Sequence, residues 1–330
     1  MYSFSVRDVN FVDVIFVDGF SGKSISLAVA NILLIFICLL AGVLLKRFKR
    51  LPEQAHLTLN QYVIWIAIPA LALHYIPKLA LSTALIFPLL TAWIVFLLSW
   101  GFFGTLGKVF RWPVKLTGAL ILTAGLGNTA FVGFPMIEAL YGQEGLKTAI
   151  VIDQPGTFLV VSTLGVMVAA IYSGQSTSAG ILMKKVAYFP PFVGFVVALI
   201  LNFCTLPLHP LLDEVTLQLA RTITPVAMIS VGLQLKIEKR SSHWGFLGLG
   251  LFFKLFLAPV FIWILYRFIF NQTGQEMKIC VLEAAMAPMV TAVIVASAYG
   301  LKPRFSSLML SIGIPLSLIT VLLWNYFLTN

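Results

Sequence analysis

The chain has 330 residues, of which 60% are hydrophobic and only 10% are charged, and its mean hydropathy is +0.99. Soluble domains carry about 25% charged residues, so this composition excludes a soluble enzyme, a nucleic-acid-binding module and a disordered scaffold. The net charge of +10 is explained by membrane topology instead, because Lys and Arg concentrate in the cytoplasmic loops of membrane proteins.

The first twenty or so residues lack the basic region and the cleavage site of a secretory signal peptide. Asp8, Asp13 and Asp18 are interleaved with Phe, Val and Ile, a pattern that predicts a short helix lying on the membrane surface. We therefore assign residues 1–24 to an N-terminal segment outside the cytoplasm.

Ten apolar stretches follow, each close to the roughly 20 residues that a transmembrane helix needs. The polar stretches between them are too short for a separate soluble domain. The sequence therefore predicts an all-α membrane protein of ten transmembrane helices. The predicted spans are 25–45, 61–77, 85–107, 116–141, 149–173, 187–204, 214–235, 245–270, 277–299 and 305–327.

The basic residues fix the expected orientation of these spans. Of the 22 Lys and Arg residues, 14 lie in the loops after odd-numbered spans, six lie on the opposite side, and Arg221 and Lys254 fall within spans. By the positive-inside rule the odd-numbered loops are cytoplasmic, so both termini are expected outside the cytoplasm. We expect a multi-pass protein of the plasma membrane (the inner membrane if bacterial).

The ten spans divide into two halves of five, at 25–173 and 187–330, around a cytoplasmic linker at 174–186. Because five is odd, the second half must enter the membrane inverted relative to the first. Tyr141-Gly142 ends the fourth span and Tyr299-Gly300 ends the ninth, while the second and seventh spans carry Pro69 and Pro225. These matches, at nearly equal offsets, predict two inverted five-helix repeats.

The fourth and ninth spans are both interrupted. The fourth contains GLGNT at 125–129 and GFP at 133–135, and the ninth contains EAAMAPMVT at 283–291. Glycine and proline free backbone groups from the helical ladder, and inside a membrane these groups need partners in protein or in a water-filled cavity. Broken helices at matching places in two inverted halves predict a transport site near the bilayer midplane.

These segments resemble the two crossover helices of the auxin efflux carrier family, which includes plant PIN-formed proteins and bacterial malonate and malate permeases. The likeness rests on NTAFVGFP at 128–135 and APMVTA at 287–292, each followed by Tyr-Gly, and covers essentially the whole chain. This chain differs from the family pattern in two respects: Met289 stands where many bacterial members have a second proline, and the long plant-type cytoplasmic loop is absent.

The resemblance implies a scaffold of spans 1, 2, 6 and 7, often dimeric, and a moving domain of spans 3–5 and 8–10. A more distant likeness to bile acid:sodium symporters rests on Glu283 and Asn128, which occupy places where that family helps to hold sodium. The resemblance therefore implies Na⁺ as a possible coupling ion, and a homodimer as the expected assembly.

Ionisable residues inside a membrane are costly and tend to be functional. We predict Asp153 and Glu283 to line the transport site, with a structural hydrogen bond or ion pair as the alternative. For Lys254, pairing with either carboxylate and contact with a substrate anion stay equally open, and for Arg221 a structural role is favoured. Gln154 and Thr157 are further candidates for lining residues.

Two sets of candidate residues follow. The predicted substrate-binding residues are Asn128, Thr129, Pro135, Pro288, Thr291 and Lys254. The predicted ion-coupling residues are Asp153, Glu283 and Asn128, of which Glu283 and Asn128 would bind Na⁺. No other cofactor is expected.

The leading function is a secondary active transporter that moves a small organic anion, a carboxylate or an auxin-like acid, by alternating access coupled to Na⁺ or H⁺. An uncoupled channel or a transporter-like sensor of the same fold is the alternative. An intramembrane enzyme is disfavoured because GxSxG, HExxH and a second in-span aspartate are missing. Cys38, Cys204 and Cys280 lie too far apart for a zinc site or a disulfide framework.

Overall fold

The computed structural model describes residues 22–80, 82–175, 187–235 and 243–329. These residues are helical with short connections, and they contain no strand. The N-terminal surface helix, the linker and the basic segment at 236–242 lie outside the described residues. The α-helices are Gly22–Arg47, Ala55–Tyr62, Ile68–Tyr75, Ile86–Val109, Val114–Gly125, Phe134–Ile152, Val166–Ser173, Pro190–Phe203, Pro210–Arg221, Ile223–Gln234, Trp244–Phe252, Ala258–Ile264, Gln275–Ala284, Val290–Ala298 and Pro303–Thr329.

Seven continuous helical runs are long and apolar enough to cross a membrane. The chain is therefore a multi-pass, all-helical membrane protein within the described residues, as its composition predicts. Two shorter apolar helices, Val114–Gly125 and Pro190–Phe203, accompany them. The runs are Val29–Arg47, Ala55–Lys78, Ile86–Val109, Thr129–Ser173, Pro210–Gln234, Trp244–Ile269 and Pro303–Thr329.

The run Thr129–Ser173 differs from the sequence expectation of two spans parted by a loop at 142–148. Helical structure continues through this stretch, but Gly142 has φ 63° and ψ −160°, which no helix contains. A glycine adopts this conformation without strain because it has no Cβ. One residue, rather than a loop, therefore redirects the chain between the two predicted spans.

The helix Gly22–Arg47 packs closely against Ile223–Gln234. The contact depends on two glycines, because a Cβ on Gly42 would collide with the carbonyl of Ile229, and one on Gly232 would collide with the carbonyl of Leu39. Small residues at such crossings let helix backbones approach closely inside a membrane. The first and seventh predicted spans thus form one tightly packed pair.

Several helices contain a π-helical turn, in which the backbone bonds to the fifth residue instead of the fourth. Three of these turns, Thr129–Gly133, Asp153–Phe158 and Phe253–Leu257, contain residues that we predict to be functional: Thr129, Asp153 and Lys254. Such turns occur frequently at functional sites because they reposition side chains and free backbone groups.

Candidate transport site

The two broken helices meet, and their backbones bond to each other. The Asn128 N–H donates to the Ala287 carbonyl at 2.7 Å, and the Met289 N–H donates to the Leu126 carbonyl at 3.0 Å. Gly127 and Pro288 face each other in an isolated antiparallel bridge. Each break therefore supplies hydrogen-bond partners that the other needs in a membrane interior. We call residues 125–133 and 284–290 the crossover.

Local sequence explains why each helix stops there. Helix Val114–Gly125 ends where Leu126 becomes extended (φ −110°, ψ 119°). A Cβ on Gly127 would lie 3.0 Å from the Lys254 ammonium and 3.2 Å from the Glu283 carbonyl oxygen, so only glycine fits without displacing them. In the other break, Pro288 has no N–H to donate to a helical ladder.

Asn128 begins the second half of the first broken helix. Its side-chain oxygen accepts a hydrogen bond from the Phe131 N–H at 3.1 Å, which caps the π-helical turn. The side chain is buried, and among the described residues its amide nitrogen has no hydrogen-bond partner. A buried donor without a partner destabilises an ordinary protein core, whereas in a binding site it can donate to a ligand.

Asp153 lies beside this turn. It is buried, and its two oxygens accept hydrogen bonds from the Thr129 hydroxyl and the Gln154 amide, both at 2.5 Å. The Gln154 side-chain oxygen has no partner within the described residues. The first broken helix and the helix that follows it are thus joined through one carboxylate.

Glu283 lies at the end of helix Gln275–Ala284, directly before the second break. The side chain is 1% exposed, and neither of its oxygens has a hydrogen-bond partner in the described part of the chain. A Cβ on Gly133 would lie 2.5 and 2.7 Å from these oxygens. Glycine at 133 therefore makes the space that the carboxylate occupies, a requirement that the sequence motif did not reveal.

Lys254 is also 1% exposed. Its ammonium donates to the Ala284 carbonyl at 3.0 Å. Among the described residues it makes no ion pair within 4.0 Å, so the pairing with Asp153 or Glu283 left open by the sequence is not formed here. Lys254 therefore places its side-chain nitrogen directly beside the break in the second broken helix.

A small cavity of about 10 Å³ lies at the crossover and is lined in part by Gly127, Thr129, Thr157, Lys254 and Glu283. This is about the room that one water molecule occupies. The site therefore accommodates a water molecule or a small ion, and an organic anion needs space elsewhere or a movement of the crossover.

The other predicted residues take varied positions. Pro135 is at the start of helix Phe134–Ile152, where proline is favoured because its missing N–H would be unpaired anyway. Thr291 is half-buried in the first turn after the second break. Arg221 is exposed at the end of helix Pro210–Arg221.

A large cavity of about 770 Å³, which we call the vestibule, opens beside the crossover. It is bounded by Val290 and Val293 after the second break, and by Asn60 and Gln234 on the helices opposite. Lys46 and Lys49 contribute basic side chains to its wall, and Glu53 contributes an acidic one. We did not predict these residues as site residues, because a basic loop and a single in-span asparagine carry no pattern that distinguishes them.

A second contact between helices, which we call the outer contact, lies away from the vestibule. The Thr224 hydroxyl donates to the Glu138 carboxylate at 2.9 Å. Leu71, Tyr75, Leu146 and Arg221 also line the cavity there, which measures only about 10 Å³. The helices thus close together here and separate at the vestibule.

Comparison with known proteins relates the chain to transporters. Residues 25–325 match the family model described as "Membrane transport protein". An uncharacterized transporter of Methanocaldococcus jannaschii is 30% identical, over 91% of this chain and 98% of the relative. One from Methanothermobacter thermautotrophicus is 29% identical over 89% and 96%, and one from Escherichia coli K12 is 23% identical over 90% and 96%.

Proposed function

We propose that this chain, which belongs to the membrane transport protein family that includes the auxin efflux carriers, is a secondary active transporter of a small organic anion. One observation carries the proposal: two broken helices cross at buried charged side chains and lie beside a vestibule of about 770 Å³. A membrane interior tolerates irregular backbone and charge where they serve transport.

We propose ten spans in two inverted repeats, at 25–173 and 187–330, with residues 1–24 outside and 174–186 as a cytoplasmic linker. Counting Thr129–Ser173 as parts of two spans joined at Gly142 supports this reading. Gly142 and Gly300, which follow the matching Tyr-Gly pairs, have nearly equal φ values of 63° and 67°. Positive φ at both matching positions supports a repeat, because glycine adopts positive φ without strain.

The protein would work by alternating access. The vestibule is bordered by Lys46 and Lys49, which the positive-inside rule assigns to the cytoplasm, whereas the outer contact is closed. This combination corresponds to an inward-facing state. The scaffold would contain spans 1, 2, 6 and 7 and form a homodimer in the plasma membrane, and the other spans would move as one unit.

The substrate would be a carboxylate or an auxin-like acid that reaches the crossover from the vestibule. The π-helical turn beginning at Thr129 and the helix beginning at Val290 direct backbone N–H groups toward the crossover region, and helix N-termini favour anions. We propose that Asn128, Thr129, Pro135, Pro288, Thr291 and Lys254 form the binding surface.

The coupling ion would bind at the two buried carboxylates. The unpartnered oxygens of Glu283 and of the Gln154 side chain are hard ligands of the type that small cations prefer. We propose that Glu283 and Asn128 contribute to Na⁺ binding and that Asp153 exchanges a proton. The water-sized cavity lined by Glu283, Thr129 and Thr157 is large enough for either ion.

Ligand-induced thermal stabilisation tests the proposal in purified protein. A ligand that binds only the folded state stabilises it by RT ln(1 + [L]/Kd), about 2.7 kcal/mol at 100 Kd. We expect at least one mono- or dicarboxylate to raise the melting temperature, and neutral amides of the same acids to have no effect. If no organic anion stabilises the protein with or without Na⁺, the proposed substrate class is wrong.

Cysteine labelling tests the topology. In a Cys204→Ser background, which removes the exposed native thiol, we expect cysteines at Lys49 and Lys239 to react only from the cytoplasm. Cysteines at Gln143 and Asn271 should react only from outside, because an odd number of predicted spans separates Lys49 from Gln143 and Lys239 from Asn271. Reaction of the Lys49 position from outside in intact cells would contradict the inverted-repeat assignment.

The outer contact gives a prediction about the conformational equilibrium. Thr224→Val removes the hydroxyl that binds Glu138, and a hydrogen bond to a charged group contributes about 1.5–3 kcal/mol. We therefore expect outward-open molecules to become roughly 10-fold or more populated. The measurement is the rate at which a membrane-impermeant reagent labels Leu146→Cys from outside, in the Cys204→Ser background.

Thr216→Val is the matched control for this prediction. Within the described part of the chain its hydroxyl bonds only to the Asp213 carbonyl in its own helix, at 2.8 Å, so its loss should leave the labelling rate unchanged. Equal rates in the Thr224→Val variant and its parent would show that the outer contact does not hold the protein inward-facing.

A further inference from the structure

An apolar groove runs along the outside of the molecule, between helical run Trp244–Ile269 and helix Pro303–Thr329. It has a volume of about 680 Å³, and the polar side-chain groups among its lining residues are the Thr320 hydroxyl and the indole N–H groups of Trp263 and Trp324. Phe252, Phe256 and Phe327 on its walls are each about half exposed. The groove lies apart from the crossover and the vestibule and shares no lining residue with either.

The shape of the groove is maintained by its walls. The Trp324 indole N–H donates to the Leu255 carbonyl at 3.0 Å, which joins the two helices across the groove floor. Trp263 and Phe327 meet edge to face with centroids 5.1 Å apart. Gly248 leaves open space at the other end, where a Cβ would have no heavy atom within 4 Å. The hollow is thus a feature of two helices that are fixed against each other.

The surroundings indicate what fills the groove. Both walls belong to helices long and apolar enough to cross the membrane, so the groove opens to lipid. From Gly248 to Trp263 it extends for about 22 Å at 1.5 Å per residue, most of the roughly 30 Å hydrocarbon core. An unfilled apolar hollow loses dispersion contacts along its walls, and an acyl chain is the linear apolar group available to restore them.

A positive charge marks one end of the groove. Arg267 follows Trp263 by four residues, about one turn, and is exposed. Both wall helices end close by, at Ile269 and Thr329, which places this end at the membrane surface. Among the described residues Arg267 has no ion pair. A guanidinium at this depth is well placed to bind a phosphate group.

We propose that this groove is a binding site for an anionic phospholipid, with one acyl chain between the two helices and the headgroup phosphate at Arg267. By the topology proposed above, the headgroup lies in the leaflet away from the cytoplasm. The site goes beyond the transport function: it requires only that the chain spans a membrane, so it stands or fails independently of the substrate.

Native mass spectrometry of the full-length protein tests this site. The protein is released from mixed micelles containing equal amounts of palmitoyl-oleoyl phosphatidylglycerol and phosphatidylcholine. We expect the parent to retain one phosphatidylglycerol. Gly248→Phe, which inserts a ring into the open end, should reduce retention at least fivefold, and Arg267→Gln should remove the preference for phosphatidylglycerol over phosphatidylcholine.

Two control variants separate the site from general effects. Gly245→Phe places a ring in the same helix, where a Cβ likewise has no neighbour within 4 Å, but outside the groove lining, and should retain lipid as the parent does. Arg304→Gln removes an exposed charge at the other end of the second wall helix and should leave the headgroup preference intact. The proposal would be overturned if Gly248→Phe retained as much lipid as the parent, or if both phenylalanine variants lost lipid equally. It would also be overturned if Gly248→Phe lost a bound second copy of the chain instead of lipid.

Discussion

Replacing Asn128 with alanine is expected to reduce transport by one to two orders of magnitude while the protein still folds. The side-chain oxygen of Asn128 caps the Phe131 N–H, and its buried amide nitrogen has no partner among the described residues. Losing a hydrogen bond to a charged ligand costs about 1.5–3 kcal/mol, roughly 10- to 150-fold in affinity. Losing the cap costs about 1 kcal/mol of stability. The measurements are initial uptake rate and melting temperature.

Asn128→Ser separates the two roles of this side chain. Serine retains an oxygen that can cap the turn, but it lacks the amide N–H group. We therefore expect the serine variant to recover most of the lost thermal stability without recovering transport. Uptake at the parent rate in the alanine variant would show that the break at Asn128 is only structural.

The second large effect concerns ion coupling. Glu283→Gln is expected to weaken the Na⁺ dependence of ligand binding, because it replaces a carboxylate that has no hydrogen-bond partner in the described structure with an amide. Asp153→Asn is expected to flatten the pH dependence of transport, because an amide cannot take up and release a proton. A buried carboxylate is justified energetically where a cation or a proton visits it.

These two variants are compared by substrate-induced thermal stabilisation across a Na⁺ titration at two pH values, with uptake measured in parallel. Glu144→Gln is the control, because that carboxylate is exposed and pairs with Lys147 at 2.8 Å on the surface; it should behave as the parent. If ligand binding and uptake by the parent do not depend on Na⁺ concentration, the sodium assignment is wrong and Glu283 has another role.

The positions of the helix breaks were predictable, because glycine and proline have few other roles inside a membrane helix. Gly127 and Pro288 predicted interruptions, and the structure places both at the point where the two broken helices bond to each other. Gly142 was expected to begin a loop, but a single residue with positive φ makes the turn. Loop length was not predictable because glycine accommodates a sharp reversal without further residues.

The interior of the candidate site was less predictable. The sequence left Lys254 open between pairing with a carboxylate and contact with a substrate anion, and the structure shows that its side chain donates to the Ala284 carbonyl instead of pairing with Asp153 or Glu283. No signal in the sequence indicated that Gly133 makes room for the Glu283 carboxylate or that Gln154 binds Asp153. Such contacts join residues that are far apart in the chain or lie in π-helical turns, where a helical period of 3.6 misplaces side chains. The functional roles of the site residues remain predictions.

Coupled uptake by the protein in sealed liposomes tests the central claim most directly. A radiolabelled organic anion identified by thermal stabilisation is supplied outside, with and without an inward gradient of Na⁺ or H⁺. An alternating-access transporter should accumulate the anion above its external concentration only while the gradient lasts, and Asn128→Ala should not. Equal, gradient-independent equilibration without accumulation would indicate an uncoupled channel, and no uptake of an anion that binds would indicate a sensor.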